Sequence, residues 1–210
     1  MNLTGESMIV GLTGQTGAGK TTVCRVFEEN GFAIINADIV ARDVMVAGSP
    51  CLAELCEHFG EEILFPDGTL NRRFLANIVF NNKSKLEILN SVTYPYITAE
   101  ILNRIEEYSD AGHKLILLDA PTLFESRADD FCELIISVVS HEELRLERIM
   151  SRDNMTREAA QSRINSQLKE EFFWENSDFI IKNNGDMTNL FDVAKEVSDK
   201  VKDYYNTKFN

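Results

Sequence analysis

The eight residues Gly14-Gln15-Thr16-Gly17-Ala18-Gly19-Lys20-Thr21 form a complete phosphate-binding loop, and they sit where an apolar run, Ile9 to Thr13, gives way to a helical pattern. The glycines let backbone N–H groups close on phosphate oxygens, Lys20 reaches the outer phosphates as a point charge, and the Thr21 hydroxyl can ligate magnesium, with Thr22 following in the same turn. The ligand class read from these residues is a nucleoside triphosphate. The flanks agree with the motif: Val23, Val26 and Phe27 recur at helical spacing after Lys20, and Asn30-Gly31 supplies a stop.

The 210 residues, 44% of them hydrophobic, suffice for one sizeable core with appendages. Twenty-one basic against thirty-four acidic side chains leave a net charge of −13, which disfavours a nonspecific grip on nucleic acid or on an anionic membrane. No apolar run approaches the ~20 residues that span a bilayer, and no leader pattern is present. Cys24, Cys51, Cys56 and Cys132 make no C-x-x-C pair, and the three histidines are scattered, so reduced structural thiols and a cytoplasmic protein are expected. Met1 to Ser7 reads as a short polar extension.

Five apolar runs predict the strands of a parallel sheet covered on both faces: 9–13, Ala33 to Asn36, Lys114 to Leu118, Leu134 to Val139, and Phe179 to Ile181. Helical patterns separate them, which predicts an α/β fold of the P-loop NTPase type, a parallel five-stranded sheet flanked by helices. The long stretch between the second and third runs reads as a helical insertion over 51–111. Its helices are predicted at Leu52 to His58, Arg72 to Phe80, Leu86 to Val92 and Ile97 to Tyr108, with Pro95 separating the last two. The chain is thus expected to be one unit with core segments 8–50, 112–142 and 176–205, the insertion, and a helical lid over 145–170. The final amphipathic helix carries Leu190, Val193, Ala194, Val197 and Val201 and covers the sheet.

Asp38 closes the segment after the second run. In a phosphotransferase a carboxylate there can orient and deprotonate an acceptor hydroxyl; its ordinary alternative is the N-cap of the helix that follows. Arg42 stands one helical turn later. Asp119 ends the third run, as in the acid-terminated strand that many phosphate-loop enzymes place beside magnesium, although aspartates also end strands as turn formers. Glu125 follows as a second candidate acid. Arg145, Arg148 and Arg152 share one helix face, either as a solvated stripe balanced by Glu142, Glu143 and Glu147 or as a lid closing over the nucleotide. Thr156 reads as the N-cap of the next helix, to which Arg163 and Gln167 belong.

Taken in order, GLTGQTGAGKTTV, NADIVAR, FGEEIL with DGTLNR, LLDAPTLFE, the arginine stripe and SDFIIKNNG resemble the dephospho-CoA kinase family from Met8 to about residue 200. The resemblance implies ATP-dependent phosphorylation of the ribose 3′-hydroxyl of dephospho-CoA, with ATP and dephospho-CoA as substrates and Mg2+ as the companion of ATP. It implies Asp38 as base, with Lys20 and Arg148 the other catalytic residues. Arg42 helps to hold the acceptor, with Asp119 and Glu125 also on that side. Asn183 borders the adenine, and Thr21, with Asp119 through water, serves the metal. Where the family usually has an acid, a histidine and a leucine, this chain has Asn36, Tyr94 and Thr122. Neither a nucleic-acid nor a membrane partner is implied, and a monomer or weak homo-oligomer is expected. A kinase for another nucleotide or small metabolite, and a nucleotide-dependent switch or non-catalytic ATP-binding protein, are the alternatives; the switch reading is weakened because no Asn-Lys-x-Asp guanine-reading sequence occurs.

Overall fold

The computed structural model describes residues 7–80 and 82–209, and these fall into two compact units. One holds the described residues up to Ile35 together with those from Glu106 onward; the other is Asn36–Ile105. Of the expected polar stretch at Met1 to Ser7, all but Ser7 lies outside the described residues.

The first unit is built on a five-stranded parallel sheet of β1 (Met8–Gly14), β2 (Ala33–Asn36), β3 (Leu115–Asp119), β4 (Leu134–Val139) and β5 (Phe179–Lys182), in the order β2-β3-β1-β4-β5. Every residue of the central β1 is buried, which is why its sequence is a continuous apolar run rather than an alternating one. Helix α1 (Lys20–Glu29) and the long α9 (Met187–Phe209) cover one face. Val23, Val26 and Phe27 of α1 join Leu190, Ala194, Val197 and Val201 of α9 over Val10, Leu12, Ile136 and Val138. The connection from β1 goes two places along the sheet in one direction, and that from β3 goes two places in the other. Such a reversal opens a crevice beyond the carboxyl ends of the strands, where ligands of open α/β sheets bind.

Between β4 and β5 stand α6 (Glu142–Asp153), α7 (Arg157–Asn165) and the short α8 (Glu170–Glu175). Leu146 and Ile149 of α6 pack with Ala160 and Ile164 of α7, so this helical pair has a small core of its own. Thr156 caps α7 as the sequence predicts, its side chain accepting from the Ala159 N–H at 3.3 Å.

The second unit is helical: α2 (Ala37–Asp43), α3 (Pro50–Phe59), α4 (Arg72–Phe80) and most of α5 (Lys83–Asp110). Its core gathers Leu52, Leu55, Phe59, Ile63, Leu70, Leu75, Val79 and Val92. One sequence expectation is corrected here, because Pro95 does not separate two helices but lies inside the single helix α5. A proline removes one backbone donor and crowds the preceding turn. That turn is braced by two hydroxyls, Ser91 donating to the Ile88 carbonyl at 2.8 Å and Thr93 to the Leu89 carbonyl at 2.9 Å. Val92 and Thr93 beside it are buried, so tertiary packing holds the helix through the break that the sequence suggests.

Candidate functional site

The phosphate-binding loop closes on the carboxyl end of β4. Gly14 has φ of 150°, and a Cβ there would run into the Val138 carbonyl, so only glycine lets the strand turn at this point. The Gln15 N–H then donates to that carbonyl at 3.1 Å, and the Ala18 N–H donates back to the Gln15 carbonyl at 3.0 Å. Gly19 is the second position where a side chain is excluded: φ is 99°, and a Cβ would stand 2.5 Å from Nδ2 of Asn183. Helix α1 starts at Lys20 with no side-chain cap and no acid in its first turn. Its first N–H groups and positive dipole end are left for an anion.

Lys20 and Asp119 are brought together as an ion pair, the Lys20 ammonium against Oδ1 of Asp119. Asp119 ends β3 directly opposite Leu12 of β1 and is 4% exposed. A third group at this spot is Cys24, one turn along α1 from Lys20. Burial, reinforced by the neighbouring Asp119 carboxylate, pushes its thiol up to about 12, so it stays protonated and hydrogen-bonds the acid. Nothing in the sequence pattern separates Cys24 from a packing residue; its role emerges only once β3 lies beside α1. Thr21, the expected magnesium ligand, is exposed at the start of α1. Thr22 follows, its N–H donating to the Gly19 carbonyl at 3.0 Å.

The arginine stripe divides into three environments. Arg145 is 3% exposed, and burial holds its guanidinium below the ordinary arginine value against the opposing influence of Glu142 and Glu170. Arg148 fastens the loop to the ends of β4 and β5: Nη1 donates to the Gly17 carbonyl at 3.3 Å and to Oγ of Ser140 at 3.1 Å, and Nη2 donates to the Asn183 carbonyl at 3.2 Å. Arg152 pairs with Asp153, which also takes Arg163. Helical spacing places the three on one side of α6, yet the first is buried, the second bonds groups outside the helix and the third pairs within it.

Asn183 is buried after β5, and its amide donates to the Ala18 carbonyl at 2.8 Å. The loop is thereby tied to the β5–α9 turn as well as to α6. Gln167 adds a fourth tie that sequence reasoning missed, its Oε1 accepting from the Thr16 N–H at 2.8 Å. A polar residue just beyond α7 was the only signal for it. Glu125 lies exposed in the turn after β3, without an ion pair or hydrogen bond among the described residues.

The second unit carries Asp38 and Arg42. The N-cap of α2 is Asn36, whose Oδ1 accepts from the Ile39 N–H at 3.0 Å. Asp38 therefore does not cap the helix, which removes the ordinary alternative for this carboxylate. It is exposed in the first turn with no hydrogen bond or ion pair among the described residues, and Arg42 stands one turn later on the same face.

Among the described residues, no group of three histidine, cysteine or acidic side chains could cage a metal ion, and no helix is long and apolar enough to cross a membrane. The donor set at the loop, one hydroxyl and one carboxylate, is of the hard oxygen type that suits magnesium arriving with phosphates.

Comparison with known proteins gives a consistent result. The model of the dephospho-CoA kinase family matches residues 8–189. A dephospho-CoA kinase of Listeria innocua is 39% identical over 199 residues, covering 95% of this chain and 98% of the relative. Among solved structures, a Thermus thermophilus protein matches with a TM-score of 0.79 at 28% identity, over 93% of this chain and 98% of the other. The dephospho-CoA kinase of Campylobacter jejuni matches with a TM-score of 0.65, also at 28% identity, over 93% and 97%.

Proposed function

Because the chain belongs to the dephospho-CoA kinase family, we propose that it transfers the γ-phosphoryl group of ATP to the ribose 3′-hydroxyl of dephospho-CoA, the last step of coenzyme A synthesis. The observation that carries this reading is the family match over residues 8–189, which takes in the phosphate-binding loop, Asp38 and the helices after β4 alike.

The first unit supplies the ATP half. Gly14 to Thr22 cradle the phosphates, Lys20 contributes its point charge, and Asn183 and Arg148 border the nucleotide. Thr21, and Asp119 through water, would hold magnesium, which when bound neutralises charge on the phosphate oxygens. The second unit supplies the acceptor half. Asp38 takes the proton of the 3′-hydroxyl, the freed oxygen bonds to the γ-phosphorus, and the bond from that phosphorus to the ADP oxygen breaks, with no covalent enzyme intermediate. Arg42 helps to hold the acceptor. Four free thiols support a cytoplasmic location.

The test is an incubation with ATP, magnesium and dephospho-CoA, read by mass. A gain of one phosphate on dephospho-CoA is expected. Phosphorylation of other acceptors alone, or none, overturns the reading.

Arg148 permits a second test. Its three hydrogen bonds hold the Gly17 and Asn183 carbonyls and the Ser140 hydroxyl, so Arg148→Ala is expected to loosen the nucleotide pocket itself. The KM for ATP should rise about tenfold to a hundredfold, as the loss of charged hydrogen bonds implies, and kcat should fall with it. Titration with nucleotide in the absence of acceptor checks this. An unchanged ATP affinity with a reduced kcat would instead assign the guanidinium to the charge that develops during transfer.

A further inference from the structure

We infer that Arg72 is a substrate-binding residue: with Arg42 it forms a two-guanidinium clamp for the diphosphate that links the adenosine and pantetheine parts of the acceptor. The inference rests on dephospho-CoA being the acceptor, and goes beyond that reading in naming a residue and the chemical group it grips.

The sequence Pro66-Asp67-Gly68 makes a tight turn that delivers Arg72. The Gly68 N–H donates to the Phe65 carbonyl at 2.9 Å, the Phe65 N–H donates to the Thr69 carbonyl at 2.8 Å, and Leu64 bridges Leu70. The Asn71 N–H then donates to the Ile63 carbonyl at 2.8 Å, and Oδ1 of Asn71 accepts from the Phe74 N–H at 3.0 Å. Arg72 is thus fixed at the first position of α4. From there its Nη2 reaches the carbonyl of Arg42, 3.2 Å away at the end of α2.

Two features of this placement oppose stability. Arg72 and Arg73 open α4, and its first turn holds no acid, so cations occupy the helix end where the dipole is positive. Both side chains are exposed at the surface, and the Arg42 guanidinium is close enough that, after partial desolvation, it is the second influence holding Arg72 below the ordinary arginine value. Like charges are brought together in a chain with 34 acidic residues against 21 basic, yet neither Arg42 nor Arg72 pairs with a carboxylate among the described residues. Arg104 in the same unit shows the contrast, since it takes both Asp43 at 2.7 Å and Glu100 at 2.8 Å.

Capping the last carbonyls of α2 is the alternative role for Arg72. It accounts for one N–H of five and for neither repulsion. A dianionic group satisfies all three observations: it pairs the remaining donors of both forks in bidentate fashion, screens the two guanidiniums from each other, and suits the N-terminal end of a helix. Asp38, on the same face of α2 as Arg42, lies near enough along that helix for a hydroxyl of the same ligand to reach it.

The diphosphate could belong to the acceptor or to ATP, and steady-state kinetics separate them. With the wild type and with Arg72→Ala and Arg72→Lys, KM is measured for each substrate at saturation of the other, alongside the thermal unfolding midpoint. Arg72→Ala should raise the KM for dephospho-CoA about tenfold to a hundredfold, the effect of losing a charged bidentate contact. The KM for ATP should stay within about twofold, and Arg72→Lys should recover part of the loss. An unchanged acceptor KM with a lowered midpoint would make Arg72 a helix cap, and a rise in the KM for ATP with the acceptor KM unchanged would place the diphosphate on ATP. Either result overturns the inference. Failure of the wild type itself to phosphorylate dephospho-CoA would strike the acceptor reading instead, so the two failures are told apart.

Discussion

Replacing Asp38 by asparagine is expected to lower kcat by ~10² to 10⁴, the range associated with loss of a positioned general base, while the KM for ATP stays near its wild-type value. The substitution should be structurally quiet. Asp38 is exposed and makes no hydrogen bond or ion pair among the described residues, and Asn36 rather than Asp38 caps α2. What the variant loses in the fold is a negative charge in the first turn, worth ~0.3–1 kcal/mol against the helix dipole. Any larger fall in turnover must come from the chemistry. Every residue of the phosphate-binding loop lies in the other unit, so nucleotide binding has no reason to follow. Steady-state kinetics with thermal unfolding decide the matter: turnover near normal removes Asp38 as the base, and a parallel collapse of unfolding midpoint and turnover marks it as structural.

The same aspartate shows where sequence reasoning succeeds and where it stops. The strands are legible because a parallel sheet buried on both faces requires unbroken apolar runs, and β1 and β4 supply them. The loop is legible because its glycines answer local steric demands that recur wherever a backbone wraps phosphate. Which residue caps α2 is less so: Asn36 and Asp38 are both good caps, and the choice depends on where β2 ends, a pairing decision made by the sheet. Pro95 misleads for a related reason, since a local breaking tendency is overruled by packing around Val92 and by hydroxyls that brace the preceding turn. The arginines of α6 carry the point furthest. Periodicity puts Arg145, Arg148 and Arg152 on one face, but the first is buried, the second finds the Gly17 and Asn183 carbonyls on elements remote in the chain, and the third only the adjacent Asp153. Cys24 and Gln167 became part of the site picture only through such remote contacts.

The second large effect is expected at Lys20, where catalysis and stability can be separated. Lys20→Met removes the point charge that meets the outer phosphates, and transfer should slow on the order of 10²–10³, as when one preorganised electrostatic donor is lost. It also leaves Asp119, whose side chain is 6% exposed, without the cation it pairs with; the Lys20 side chain is itself 15% exposed. Breaking a buried ion pair from one side costs ~3–5 kcal/mol, and the modest exposure of the lysine points to the lower end. For a chain of this size that is a fall of roughly 6–12 °C in the unfolding midpoint of the nucleotide-free protein. Adding Asp119→Asn removes the stranded charge, and a neutral pair of similar size can be as stable as the ionic one. The double variant should therefore regain most of the lost stability and none of the lost transfer rate. Thermal unfolding without nucleotide and single-turnover transfer measure the two effects separately. A Lys20→Met protein that unfolds at the wild-type temperature would show that the pair contributes nothing to the fold, leaving the lysine to ligand binding alone. Recovery of transfer in the double variant would mean that the uncompensated charge of Asp119, rather than the missing ammonium, was what slowed the reaction.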